Sequence, residues 1–163
     1  MKYFYLNGSM KQELFDKFIN FCNQYPDDKW GIVIDSGGGG ESFCHAMLHI
    51  IDDHKDCVLI SMGCYSSAFE LFYLSKCEKL ITTNSMGMFH LGRDNYDIDL
   101  NGKPSWTADE AIVKRRKETS YPMALDFAKQ FMTTLEFSKF KQGKDIYFTF
   151  KRMQEIFPDA TII

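Results

Sequence analysis

No apolar run in this sequence reaches the roughly 20 residues that a membrane-spanning helix needs. The opening "MKYFYLNGSMKQ" has no long apolar region either, so no secretory signal is expected. Basic residues are not in excess: 19 Lys and Arg stand against 22 Asp and Glu, for a net charge of −3. That balance excludes a broad basic surface, and with it nucleic acid as the default partner. The cysteines, at 22, 44, 57, 64 and 77, are odd in number and form no C-x-x-C pair. Reduced thiols in a cytoplasmic protein are the simplest reading. Cys22, Cys57 and Cys77 sit in apolar-rich segments and read as small core residues. Repeats, low-complexity tracts and linkers are absent too.

What is present is a chain of 163 residues, suited to one domain with a sizeable core. Its 45% hydrophobic and 15% aromatic content excludes disorder. Short strands alternate with helices, the pattern of an α/β fold. "KYFYL" reads as a strand. "KQELFDKFINFCNQY" reads as a helix with Leu14, Phe15, Phe18, Ile19 and Cys22 at helical spacing. "WGIVID" is a buried strand ended by "SGGGG", and "ESFCHAMLHIIDDH" a helix with Phe43, Met47, Ile50 and Ile51 on one face. "CVLIS" is a strand, Ser67 to Ser75 a buried helix, and "KLITT" and "MGMFHLG" two further strands. Residues 93–104 read as a loop. A helix capped by Thr107 and Glu110 follows. A second, "PMALDFAKQFMTTLEF", has Pro122 in its first turn. The end reads as a strand from Asp145, a short helix from about Thr149, a turn at Pro158 and a last strand.

Three constellations carry chemistry. "DSGGGG" frees the backbone for positive φ and for close approach to a ligand. It is no phosphate loop, because Glu41-Ser42 stands where Lys-Ser/Thr would be needed. Bare N–H groups aimed at an acyl oxygen, or a plain flexible turn, are the readings left. "SMGCYSSAFELFYL" puts Ser66 and Ser67 between a strand and a buried helix, where a serine is either a cap or an exposed nucleophile. His90 ends the apolar strand "MGMF" and is a candidate general base. His45 and His49 are four residues apart, yet "HAMLH" lacks the glutamate of H-E-x-x-H, so no metal is expected. Asp145 opens the last strand, an ordinary position for an aspartate.

In this order the segments resemble those of ClpP, the proteolytic subunit of the Clp protease, in the ClpP/crotonase superfamily. "WGIVIDSGGGGES" is similar to that family's strand and "N-S-P-G-G-S" loop. "MGCYSSAF" is similar to its "V-G-Q-A-A-S-M-G" turn and keeps the glycine four residues before the serine. "NSMGMFH" is similar to "N-S-R-x-M-I-H", and "KDIYFTFKRMQEIFPDATII" to "R-D-R-F-L-S-A-P-E-A-V-E-Y-G-L-V-D-x-I". The resemblance spans nearly the whole chain. It implies a fold of repeated ββα units with a handle-like helical segment at about 93–140. It further implies Ser67 as nucleophile, His90 as base and Asp145 as orienting acid. Should Asp145 lie out of reach of His90, Asp159 or Asp97 would be the next candidates. Gly38, Gly39 and the N–H of Ala68 would bind the oxyanion and substrate. ATP-independent hydrolysis of unfolded polypeptides would follow, without metal or organic cofactor. The implied assembly is a homo-oligomeric ring, with an unfoldase ATPase as a conceivable partner.

The match departs from the family at three places. Phe69 stands where the family has glycine. Ser36-Gly37 replaces Ser-Pro, and the interval from Ser67 to His90 is shorter. With a chain that opens directly on its first strand, these departures suit a divergent, phage-type branch. Phe69 also motivates a second reading, an inactive ClpP-like subunit with a structural role. A crotonase-type acyl-CoA enzyme and a Ser-Lys signal-peptide peptidase relative are weaker alternatives. The abundance of Phe, Tyr and Met suggests apolar faces left over for a partner.

Overall fold

The computed structural model describes residues 1–91 and 120–163. The chain divides into two compact units, Met1–Phe89 with Tyr147–Ile163, and His90–Ile146. The first unit begins as strict alternation: β1 (Lys2–Met10), α1 (Gln12–Gln24), β2 (Trp30–Gly39), α2 (Glu41–Asp53), β3 (Cys57–Tyr65), α3 (Ser67–Leu74) and β4 (Glu78–Phe89). After the second unit come β5 (Ile146–Phe148), α6 (Phe150–Ile156) and β6 (Thr161–Ile162). Sheet order follows chain order from β1 to β5, and β6 also pairs with β4. The β1–β2, β2–β3, β3–β4 and β4–β6 pairs are all parallel. Parallel strands covered by helices explain why "WGIVID" and "CVLIS" are near-continuous apolar runs.

Each long strand changes register at the same level. The shifts fall between Asn7 and Ser9, Ile34 and Asp35, and Ser61 and Gly63. Each unit therefore reads as two short strand segments followed by a helix. The last shift resolves the two strands expected around residue 84. They are one strand, in which Ser61 pairs with Ile81 and Gly63 with Met86. The skipped stretch is held by a buried 2.6 Å hydrogen bond between the Ser61 and Ser85 hydroxyls. Three other strands outrun the sequence reading. β1 continues to Met10. β2 continues to Gly39 because Ser9 and Met10 pair with Gly38 and Gly39, and β3 continues to Tyr65.

The core is aromatic. Phe18 and Phe21 of α1 pack on Phe4 and Trp30, with ring centroids 5.3 to 6.4 Å apart. α2 buries Met47 and Ile51 as its pattern suggests, and Cys44 joins them in place of Phe43 and Ile50, which stay half-buried. α3 is enclosed, with Ala68, Phe69, Leu71 and Phe72 wholly buried. Each large side chain so removed from water contributes about 1.5–3 kcal/mol. None of the 15 phenylalanines is exposed; among the described residues the exposed large apolar side chains are Met, Tyr, Leu and Ile.

In the second unit, the helix expected over 122–137 is two helices, α4 (Ser120–Ala128) and α5 (Thr134–Lys141). The break has a local cause. Thr133 caps α5 through a complete capping box: its Oγ1 accepts from Glu136 N–H at 3.3 Å, and the Glu136 carboxylate accepts from Thr133 N–H at 2.7 Å. The loop expected at 93–104 and the helix capped by Thr107 lie outside the described residues.

Candidate active site

The site is assembled at the carboxyl ends of β2 and β3, where α/β folds place their ligands. β2 ends in glycines that turn through φ +89° at Gly38 and +148° at Gly39, conformations that only glycine adopts at low cost. Space imposes the same choice. A Cβ on Gly38 would stand 2.6 Å from the Tyr65 carbonyl oxygen, 2.7 Å from Ser66 Cβ and 3.0 Å from Ser67 N. The glycine loop thus lies hard against the serine turn. On its other side the loop is paired. Met10 faces Gly39 in the β1–β2 ladder, and Gly40 N–H donates to the Met10 carbonyl at 2.8 Å. β1 thus borders Gly38–Gly39 on one side, and the serine turn on the other.

The two serines differ sharply. Ser66 holds the N-cap position of α3 with φ 57° and ψ −127°. It is the one non-glycine residue with positive φ among the described residues. Its side chain makes no capping hydrogen bond, so the bland reading of this residue as a helix cap is not met. Its backbone is firmly held. Ser66 N–H donates to the Met88 carbonyl at 2.7 Å, and its own carbonyl accepts from Phe69 and Glu70 N–H. Ser67, the first residue of α3, is only 3% exposed. Its Oγ donates to the Gly39 carbonyl at 3.3 Å and lies 3.6 Å from Met10 Sδ. Its carbonyl receives the Cys44 thiol at 2.9 Å, which ties α2 to the start of α3.

Donors for an oxyanion sit beside the turn. The N–H groups of Ser67 and Ala68 open α3, where no intrahelical acceptor exists for them. Gly38 N–H is engaged otherwise: it donates to Ser36 Oγ at 3.1 Å, while Ser36 Oγ donates to the Gly8 carbonyl at 2.6 Å. Phe69, which follows the serines, does not fill the site. Its ring is wholly buried among Tyr73, Phe89, Phe148 and Phe157. Gly87 makes room for it, since a Cβ there would stand 3.0 Å from the Phe69 ring and 2.6 Å from Met153 Sδ.

His90 and Asp145 belong to the second unit, near its two ends. His90 follows Phe89 at the end of β4, two residues after the Met88 that receives Ser66 N–H. It is half-buried, and its Nδ1 is shielded from solvent. Asp145 is half-buried and directly precedes β5. Of the alternatives, Asp159 lies exposed in the turn before β6, and Asp97 lies outside the described residues. His45 is exposed and pairs with Glu70 across 3.2 Å. Among the described residues no group of three or more His, Cys, Asp or Glu side chains converges as a metal ligand set would. None of their helices is long and apolar enough to cross a membrane.

No protein-family profile matches the chain, and no curated protein matches it. Solved structures do. A mutant of ClpP1 from Listeria monocytogenes superposes with a TM-score of 0.67 over 99% of this chain and 90% of that one, at 16% identity. The class of architecture is therefore a mixed α/β fold of ClpP type. At that identity the likeness concerns the fold, and the chemistry has to be argued from the residues.

Proposed function

We propose that the chain is a serine peptidase of ClpP type that hydrolyses peptide bonds of unfolded polypeptides without ATP. A hydroxyl of the Ser66–Ser67 turn is the nucleophile, His90 the base, and Asp145 the group that orients His90. The observation that carries this reading is the backbone of Ser66. A non-glycine residue at φ 57° costs about 1–3 kcal/mol, and such strain is stored where a site uses it. A sharp strand-to-helix turn of this kind lifts a serine hydroxyl above a sheet and turns the next N–H toward the same point.

This geometry favours Ser66 over Ser67. Ser66 is half-buried, and the residue after it supplies the Ser67 N–H. Ser67, chosen by ungapped register with the family motif, directs its hydroxyl at the Gly39 carbonyl. Choosing Ser66 also lengthens the interval to His90 by one residue, toward the family's spacing. In the reaction His90 takes the serine proton as Oγ attacks the peptide carbonyl, then returns it to the departing amine. Asp145 stabilises the imidazolium. The Ser67 N–H, with Gly38 N–H once Ser36 Oγ releases it, receives the oxyanion.

A second reading, an inactive ClpP-like subunit, draws support from that same Gly38–Ser36 hydrogen bond, which occupies an oxyanion donor. Reaction with a fluorophosphonate probe, followed by peptide mapping, separates the readings. An adduct on Ser66 is expected. An adduct on Ser67 would restore the ungapped register, and no adduct in the assembled protein would favour the inactive subunit.

The assembly proposed is a homo-oligomeric ring of cytoplasmic location, with the second unit as its handle and an unfoldase ATPase as an optional partner. Support comes from exposed apolar side chains on β1, β3 and β4: Tyr3, Tyr5, Met62 and Met86 are 39–66% exposed. Light scattering should give several times the 19.0 kDa of one chain; a monodisperse active monomer would overturn the ring.

A further inference from the structure

The amino ends of β3 and β4 carry a second cluster of reactive groups, remote in sequence from the serine turn. Cys57 opens β3, and Cys77 immediately precedes β4. The two strands are parallel, with Val58 opposite Glu78. Cys57 and Cys77 thus stand one step before the same register pair and project to the same side. Neighbouring strands lie about 4.8 Å apart, within the Cα separation of about 4.4–6.8 Å that a disulfide accepts. The thiols face each other closely enough for the Cys57 thiol to hydrogen-bond to the Cys77 sulfur. Cys77 Sγ in turn lies 3.7 Å from the Ile51 carbonyl. Both sulfurs are reduced.

The surroundings make the pair unequal. Cys57 is 8% exposed, whereas Cys77 is reachable from solvent. The hydrogen bond from Cys57 pulls the Cys77 thiol down to about 7, with Lys79 adding in the same direction. Donating that bond, together with burial, pushes the Cys57 thiol up. The Lys79 ammonium is held at this end by the Ser75 carbonyl. Asp52 anchors the approach to Cys77 by accepting from the Ser75 hydroxyl at 2.8 Å and from Lys76 N–H at 3.0 Å. An accessible, readily ionised thiol beside a buried thiol is the arrangement of an attacking and a resolving cysteine.

We propose that Cys57 and Cys77 form a reversible dithiol–disulfide pair that reacts with small disulfides of the glutathione class. The Cys77 thiolate attacks one sulfur of oxidised glutathione. The glutathione S–S bond breaks, and one glutathione leaves as thiolate while a mixed disulfide forms at Cys77. That thiolate takes up the Cys57 proton. Cys57 then attacks Cys77 Sγ, expelling the second glutathione, which is protonated from solvent to replace the proton that Cys77 first gave up. The protein loses two electrons and two protons, and one oxidised glutathione becomes two reduced ones. The closed pair clips the start of β3 to the start of β4. The proposal stands whether or not the serine turn is catalytic.

The test uses the full chain, reduced and then incubated with oxidised glutathione. The protein is then unfolded, alkylated and weighed intact. Two fewer alkylated thiols than the five of the reduced chain are expected, with one cross-linked peptide joining Cys57 to Cys77. In Cys57→Ser a glutathione adduct should accumulate on Cys77, and Cys77→Ser should take up none at position 57. Five alkylated thiols after incubation, or a disulfide or adduct centred on Cys22, would overturn the proposal. The wild-type measurement decides even if a variant folds poorly.

Discussion

The two ends of β3 are built by opposite rules. At its amino end, structure is made by side chains. Trp30, opposite Cys57 on β2, stacks on His54 at 3.5 Å with the rings 2° from parallel. Its indole N–H donates to the Tyr25 carbonyl at 2.7 Å, and Cys57 meets Cys77 alongside. At its carboxyl end, structure is made by missing side chains. Gly38 lets β2 touch the Tyr65–Ser67 turn, and Gly87 lets Phe69 enter the core. Filled space resists deformation, and a backbone held by close glycine contacts can be kept in a strained conformation. The molecule therefore keeps strain where chemistry is proposed and conventional packing at the other end. Adding atoms should harm the carboxyl end, and removing them should harm the amino end.

The largest effect expected is at Ser66. Ser66→Ala should abolish both fluorophosphonate labelling and peptide turnover, the latter by on the order of a millionfold, with the fold retained. Ser67→Ala removes a hydroxyl that is bonded to the Gly39 carbonyl, and should leave labelling intact. The reverse pair of results would return the nucleophile to Ser67. His90→Ala should match Ser66→Ala in turnover, and Asp145→Asn should lose less.

Gly38→Ala comes next. A Cβ there would meet backbone and Ser66 at 2.6–3.0 Å, at φ +89°. Left-handed backbone costs an alanine roughly 1–2 kcal/mol, and overpacking adds about 1–3 kcal/mol. At about 2–4 °C per kcal/mol for a chain of this size, melting should fall by several degrees. Labelling should fall further, because relief of the clash moves the serine turn. Gly37→Ala is the control. Nothing lies within 4 Å of its Cβ, and its φ is not positive, so it should be near neutral in both readouts. A Gly38→Ala protein that labels as fast as wild type would show that the close approach serves packing alone.

This contrast also explains what could be read from the sequence. The apolar strand interiors, α1, α2, α3 and the last strand–helix–strand were legible, because burial leaves a periodic record in residue type. The ends were not. Glycines carry no strand preference, so "SGGGG" read as a turn, although pairing with Ser9 and Met10 keeps it in the sheet. "NS" read as a break between strands, although the Ser61–Ser85 hydrogen bond carries one strand through it. The split at Thr133 had a signal, the Thr-x-x-Glu of its capping box, which the run of helical spacing on both sides obscured. The turn between β3 and α3 was legible, but the positive φ of Ser66 was not. A positive φ at serine leaves no trace in residue type, and only close contacts with the rest of the fold impose it.

At Gly87 the comparison turns on a compensating pair. Phe69 lies in the first turn of α3, and its ring packs against Gly87 on the neighbouring strand. If the two form one packing unit, Gly87→Ala alone should cost about 1–3 kcal/mol by overpacking. Trimming the ring in Phe69→Leu should recover part of that loss in the double variant. A double-mutant cycle with no coupling would show that Phe69 and Gly87 vary independently. Labelling of the serine should persist in all three proteins, because Phe69 faces the core.

The change expected to be least felt at the serine turn belongs to the amino end. His54→Ala removes a stacked ring and the hydrogen bond between its Nε2 and the Asp28 carbonyl at 2.8 Å. An aromatic pair is worth about 0.5–1.5 kcal/mol beyond its burial, and a hydrogen bond about as much. Stability should therefore fall by about 1–3 kcal/mol, comparable with Gly87→Ala. Labelling of the serine turn should not change at all. The strain at Ser66 is imposed by contacts within the opposite end, from Gly38, the Met88 carbonyl and the first turn of α3, and none of these involves His54. Denaturant melts and labelling rates measured on the same samples would check both halves. A labelling rate that drops in step with stability would mean that the two ends of β3 are mechanically coupled through the sheet. Strain at the serine turn would then be a property of the whole unit rather than of its glycine contacts.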